Sequence, residues 1–160
     1  MPLPADLDFI LLLDAIRDPG NLGTILRTAA AAGVQGIILT PDCVDPFSPK
    51  VLRSAMGAHF RLPLLVLEWM EIQSLFKPGG AHPGVKIYLS DVGDSQPYTQ
   101  ADFHSPAALI IGGEAEGAGA EAQLLAERRI HIPMAAGVES LNAAVAAAIL
   151  MFEVVRQRSP

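Results

Sequence analysis

A chain of 160 residues has room for one domain with its own core, and an apolar share of 51% excludes intrinsic disorder for the whole. Eleven Lys and Arg against 17 Asp and Glu leave a net charge of −6. That excludes a module gripping nucleic acid by bulk positive charge, because duplex affinity rests largely on neutralising phosphates. The charge is uneven: residues 1–61 hold Arg17, Arg27, Lys50, Arg53 and Arg61 against six Asp, whereas residues 62–160 hold six cations against 11 acids. A polyanion is therefore expected on the first third.

In chain order, Phe9 to Leu13 is a wholly apolar run, the pattern of a strand buried on both faces. Asp-Pro-Gly at 18–20 signals a turn. From Asn21 the period becomes helical, with Leu22, Ile25, Leu26, Ala29, Ala30 and Gly33 on one side and Thr24, Arg27 and Ala31 opposite. Residues 36–39 read as a second buried strand. Ser48-Pro49 opens a helix through about Met56. A strand follows at 62–67, a helix at 68–76, a loop at 78–84, and strands at 85–89 and 107–111. A helix at 120–127, a last strand at 129–132, and a long Ala-rich helix from Ser140 onward complete the chain. Strands alternating with helices predict an α/β fold on a mostly parallel sheet.

Cys43 is the single cysteine, so neither an intrachain disulfide nor a cysteine metal cluster is available, and a reducing, cytoplasmic compartment is expected. The longest uncharged stretch, Thr28 to Pro41, is too short to span a bilayer. The start MPLPADLD lacks the basic head and apolar middle of a signal peptide, so no membrane association is expected.

Three small-residue turns follow strands, at 18-DPGNLG-23, 112-GGEAEG-117 and 133-PMAAGVESLN-142. In open α/β sheets ligands collect beyond the carboxyl ends of strands, where glycines let backbone N–H groups come close. No GxGxxG fingerprint, P-loop or GxSxG elbow occurs, and His59, His82, His104 and His131 show no metal-ligand spacing, so no metal is expected. What remains is a pocket built of loops, with few polar side chains. Arg27 is opposite the apolar stripe of its helix. Glu114 is set among glycines past a buried strand, and Ser140 and Asn142 precede a long helix, where capping would suffice for one of them.

Together 17-RDPGNLGTILRTAAAAG-33, 109-LIIGGEAEG-117 and 132-IPMAAGVESLNAAVAAAILMFE-153 resemble the three motifs of the SpoU (TrmH-like) family, with 48-SPKVLRSAMGAHFRLP-63 resembling its second helix and strand. These are SPOUT-class RNA 2′-O-ribose methyltransferases that use S-adenosylmethionine. The resemblance spans essentially the whole chain, with residues 1–8 as a short lead and 9–158 as the methyltransferase domain. It implies a five- or six-stranded parallel sheet with the C-terminal third threaded into a deep trefoil knot, against the general rule. It also implies cofactor contacts at Gly112, Gly113, Ile132, Met134 and Leu141, and a reactive group at Asn21, Arg27, Glu114, Ser140 and Asn142. RNA, rRNA ahead of tRNA, would meet Arg17, Arg27, Arg53 and Arg61. A homodimer through 143–155 is implied, and many relatives carry an N-terminal RNA-binding domain, so the chain is expected either to work with a minimal body or to be the catalytic domain of a longer protein. The family proposal of an arginine base at Arg27 meets a direct objection, since guanidinium stays protonated and has no acceptor. Ala118 and Ala144 depart from a larger aliphatic residue and a serine in the family pattern, and neither removes a polar catalytic position. Two other readings stay open: a cofactor- and RNA-binding module with little activity alone, and a nucleotide-binding oxidoreductase domain.

Overall fold

The computed structural model describes residues 1–114 and 117–160; Ala115 and Glu116 of the second motif lie outside the described residues. Strand β1 (Phe9–Asp14) is buried along its whole length. Helix α1 (Pro19–Ala32) follows, then β2 (Gly36–Leu39), α2 (Pro49–Ala55), β3 (Leu64–Val66), α3 (Trp69–Phe76) and β4 (Lys86–Ser90). The chain continues through β5 (Gln96–Pro97), β6 (Ala107–Gly112), α4 (Ala120–Leu125), β7 (Arg128–His131) and α5 (Ala143–Arg158), with short 3₁₀ turns at Ala58–Phe60 and Tyr98–Gln100.

The strands form one sheet in the order β3-β2-β1-β6-β4-β7-β5. Every pairing among them is parallel. Because side chains alternate across a strand, β1 feeds two cores. Phe9, Leu11 and Leu13 meet Leu22, Ile25 and Leu26 of α1 and Leu150 and Met151 of α5 on one face. Ile10 and Leu12 meet Ile72 and Phe76 of α3 and Ala122 of α4 on the other. Burial on both faces is what a continuous apolar run requires, and it accounts for the run at 9–13.

Helix α3 starts at Trp69 and not at 68, α4 ends at Leu125 and not at 127, and β3 covers Leu64–Val66 and not 62–67; three further departures at helix ends have a local cause. Helix α1 starts at Pro19, two residues before Asn21, because Asp18 caps it: the Asp18 carboxylate accepts the Asn21 backbone N–H at 2.8 Å. Gly33, expected on the apolar side, instead ends the helix in the left-handed region at φ 76°. Helix α5 starts at Ala143 rather than Ser140, because Asn142 turns its side chain back onto the N–H groups of Ala144 and Val145 at 2.9 and 3.2 Å. Residues 140–142 thus stay outside the helix. The sheet also has seven strands, the seventh being β5, whose two residues are too few to carry a periodic signal.

The far end of α5 is fastened to the opening of the sheet. Arg158 donates to the Asp8 carboxylate at 2.6 Å and to the carbonyls of Phe103 and Ser105 at 2.7 and 2.9 Å, with its guanidinium over the Phe9 ring. One turn earlier, buried Glu153 takes a bidentate bond from Arg156 at 2.8 Å and one from Gln157 at 3.0 Å. The Arg156 bonds hold the Glu153 carboxyl below its ordinary range. No helix among the described residues is long and apolar enough to cross a membrane.

Helices α1 and α2 meet at Gly23, where a Cβ would stand 2.2 Å from the Ser54 Cβ and 3.0 Å from the Val51 carbonyl oxygen. Gly23→Ala is therefore expected to lower the unfolding free energy by about 1–3 kcal/mol despite the better helix propensity of alanine. Urea denaturation should show a lower midpoint at unchanged slope, and a midpoint equal to or above wild type would refute the close contact.

Candidate functional site

A cavity of about 450 Å³ opens beyond the carboxyl ends of β4, β6 and β7, where Ser90, Gly112 and Ile132 stand on its wall. This is the end of an open parallel sheet at which ligands gather, and the volume suits a small organic molecule. All five residues expected to hold a cofactor line it: Gly112, Gly113, Ile132, Met134 and Leu141. Glu114 and Ser140 line it as well. Asp91 and Glu139, which the sequence did not single out, add two further carboxylates, and no Lys, Arg or His is among the described lining residues. The described lining thus mixes apolar side chains with polar groups and three carboxylates, and it offers a phosphate no cation.

Three of the expected reactive-site residues are joined in one directed chain. The Asn142 Oδ1 is committed to the two N–H groups that open α5, so its Nδ2 must donate, and it does so to the Asn21 Oδ1 at 3.0 Å. Asn21 in turn donates its Nδ2 to the Glu114 carboxylate. The order of donors is fixed from a helix end to a carboxylate, and it ties the first motif to the second and third. Residues 21, 114 and 142 are thereby brought together from 93 and 121 positions apart in the chain.

The glycine loop after β6 is anchored on both limbs to the end of β1. Asp14, buried and in register with Gly112, accepts the Gly119 N–H at 2.8 Å through Oδ2 and the Thr40 hydroxyl at 3.3 Å through Oδ1. Thr40 in turn accepts the Ala15 N–H at 3.1 Å. Gly113 packs directly over the Ala15 carbonyl, where a Cβ would fall 2.4 Å from the oxygen. The sequence did not single out Asp14. Cys43 lies nearby, its thiol donating to the Leu13 carbonyl at 3.4 Å, and burial pushes its pKa up. A thiol so held is a packing group, not a nucleophile.

Arg27 is not in the cavity wall. It is exposed on α1, six residues past Asn21, and forms no ion pair or side-chain hydrogen bond with the described residues. The same holds for Arg17 before α1, Arg53 in the last turn of α2 and Arg61 after the first 3₁₀ turn. Among the described residues no cluster of His, Cys, Asp and Glu is arranged to hold a metal.

A parallel α/β sheet with a loop-built, cation-tolerant pocket at its carboxyl end is the class of protein that these features define. The model of the SpoU rRNA Methylase family matches residues 8–152, and the chain belongs to that family. Human mitochondrial rRNA methyltransferase 3 is 37% identical over 97% of this chain and 48% of its own length. The Bacillus subtilis 23S rRNA (guanosine(2553)-2′-O)-methyltransferase RlmP is 41% identical over 89% of this chain and 56% of its own. The chain spans about half the length of these curated relatives. Among solved structures, the SpoU methyltransferase AviRb from Streptomyces viridochromogenes in complex with AdoMet superposes at a TM-score of 0.85 with 32% identity, over 98% of this chain and 60% of that one. An AdoMet-bound rRNA methyltransferase from Sinorhizobium meliloti superposes at 0.88 with 36% identity, over 100% of this chain and 62% of that one.

Asp14→Ala leaves the Gly119 N–H and the Thr40 hydroxyl without an acceptor. A loss of about 1–3 kcal/mol in stability is expected on urea denaturation. Asp14→Asn keeps one acceptor oxygen and should lose less. Equal losses for the two variants would assign the effect to the charge and not to the hydrogen bonds.

Proposed function

We propose that this chain is the catalytic part of an S-adenosylmethionine-dependent RNA methyltransferase acting on a ribose 2′-hydroxyl, with rRNA ahead of tRNA as substrate. The observation that carries the reading is the cavity at the sheet's carboxyl end, with apolar side chains beside polar ones, three carboxylates and no cation among its described lining residues. That composition fits a sulfonium cation with an aromatic base and disfavours the pyrophosphate of a dinucleotide. It speaks against the oxidoreductase reading. Gly112, Gly113, Ile132, Met134 and Leu141 would hold the cofactor through backbone groups and apolar contact. When bound, that cofactor supplies an electrophilic methyl group. The 2′-O specificity is supported by the name of the RlmP relative, and rRNA by the names of that relative and the mitochondrial one.

The chain's own contribution is alignment and electrostatics. Glu114, fixed by Asn21 and through it by Asn142, holds the loop beneath the reacting atoms. Ser140, outside α5 because the helix starts at Ala143, faces the same cavity. Arg27 clamps the phosphate beside the target ribose and stabilises the forming alkoxide, and the proton leaves to phosphate or water. With five donors, a permanent charge and no acceptor, Arg27 suits the clamp and not the base. We further propose that the segment from β6 onward is threaded as a trefoil knot. A homodimer would pair through the stripe Val145, Ile149 and Phe152 on α5, where Val145 and Phe152 are about half exposed.

Calorimetry with S-adenosylmethionine and NAD, followed by tritiated-methyl transfer to rRNA and tRNA, tests the reading. Binding of the first ligand and label in ribose 2′-O-methyl nucleotides are expected. NAD binding alone would overturn it, and cofactor binding without transfer would leave a binding module. For Arg27→Lys, kcat is expected to fall about 10²-fold with the ascending, acid-side limb of the pH–rate profile unchanged. A general base must be deprotonated to act, so displacement of that ascending limb in the variant would make Arg27 the base.

A further inference from the structure

The acidic balance of the chain breaks in one segment. Between Asp45 and Glu68 there is no acidic residue, while Lys50, Arg53 and Arg61 fall there together with His59. The same segment carries the largest exposed side chains on this side of the molecule: Phe60 is 90% exposed, Met56 69% and Phe47 58%.

Local backbone explains the display. Val51 and Ala55 bury one side of α2, which turns Lys50, Arg53 and Met56 to solvent on the other. Met56 and Gly57, both left-handed at φ 50° and 84°, then reverse the chain into the 3₁₀ turn Ala58–Phe60. His59 bonds the Pro46 carbonyl at 2.6 Å through Nε2, and its ring lies against Phe47 with centroids 5.5 Å apart. Phe47 is therefore braced. Phe60, with nearly all its surface in water, does nothing for the core.

The surface also continues toward the candidate reactive group. Gly23 of α1 touches Ser54 of α2, and Arg27 is one turn beyond Gly23 on the same helix face.

We propose that residues 46–61 form a stacking platform for single-stranded RNA, on which unpaired bases lie against Phe60 and Phe47 while Lys50, Arg53 and Arg61 hold the flanking phosphates. Aromatic faces offered between cations suit unstacked bases, whereas a duplex hides its base faces and presents only phosphate and sugar. A strand so held leads past Arg27, which sets its ribose near the site joined by Asn21. The inference rests on the reading of the chain as RNA-directed and names the form of RNA that it takes.

Fluorescence anisotropy with a labelled oligouridylate at low salt tests it on the 160-residue chain. Phe60→Ala is expected to weaken binding roughly 5–100-fold, with little change for a duplex of equal length. Phe60→Tyr keeps a ring and should keep the affinity. The Arg53→Ala, Arg61→Ala double variant should lower the slope of log affinity against log salt by about 1.4. Wild-type affinity in Phe60→Ala, an equal loss in Phe60→Tyr, or no binding by the wild type overturns the platform. Sedimentation of Phe60→Ala gives a further arm: conversion of a dimer to monomer assigns the surface to a second copy and overturns it too. Cofactor calorimetry and methyl transfer on the wild type separate the two ideas. Transfer with Phe60-independent RNA binding removes the platform alone, and Phe60-dependent RNA binding without cofactor binding removes the enzyme reading alone.

Discussion

The hydrogen-bonded line from the first turn of α5 through Asn142 and Asn21 to Glu114 is the constraint on which the site depends. Each asparagine has one acceptor and one donor end, so once the helix N–H groups have taken the first acceptor the remaining orientations follow. The line needs an acceptor at its end, which the Glu114 carboxylate supplies. It also holds the opening turns of α1 and α5 together beside the glycine loop. Asp14 acts from the opposite limb of that loop, where it accepts the Gly119 N–H.

Division of labour follows from the charge. The ligand cavity is lined with carboxylates and apolar groups, and cations are absent from its described wall. The arginines that could meet a polyanion stand outside it, on α1, α2 and the turn that follows. An overall charge of −6 then has a physical reading. On the proposed reading, the body is built around a cavity that tolerates positive charge and would meet phosphate along one narrow margin. A small number of cations gives modest, salt-sensitive affinity, consistent with relatives about twice as long that have further surface to offer.

Most of the scaffold was legible in the sequence because it depends on local rules. The apolar run at 9–13, the 3.6-residue period after Asn21 and the Ala-rich C-terminal segment each specify an element by burial or propensity, and the structure contains all three. Two of the boundaries that differed were set by single side chains: Asp18 starts α1 early and Asn142 starts α5 late. The five residues expected to hold a cofactor line one cavity, although no local periodicity could have gathered residues 112 and 141. Asp14 was missed because its function is defined by a partner 105 residues away, Gly119, which leaves no local pattern. Asp91 and Glu139 were missed for the same reason. The exposure of Phe60 was equally invisible, since a phenylalanine in an apolar context reads as core until the chain reversal at Met56 and Gly57 is known.

The asparagine line also has a temporal consequence. Its partners are separated by 93 and 121 residues, and α5 is fastened at its other end to Asp8, 150 residues away. No fragment ending before α5 contains the completed line, however well its sheet has formed. The described wall of the pocket is therefore complete only when α5 has folded back onto the opening turn of α1. That arrangement requires the closure of a long loop, so a chain without α5 carries the other parts of the site without their arrangement.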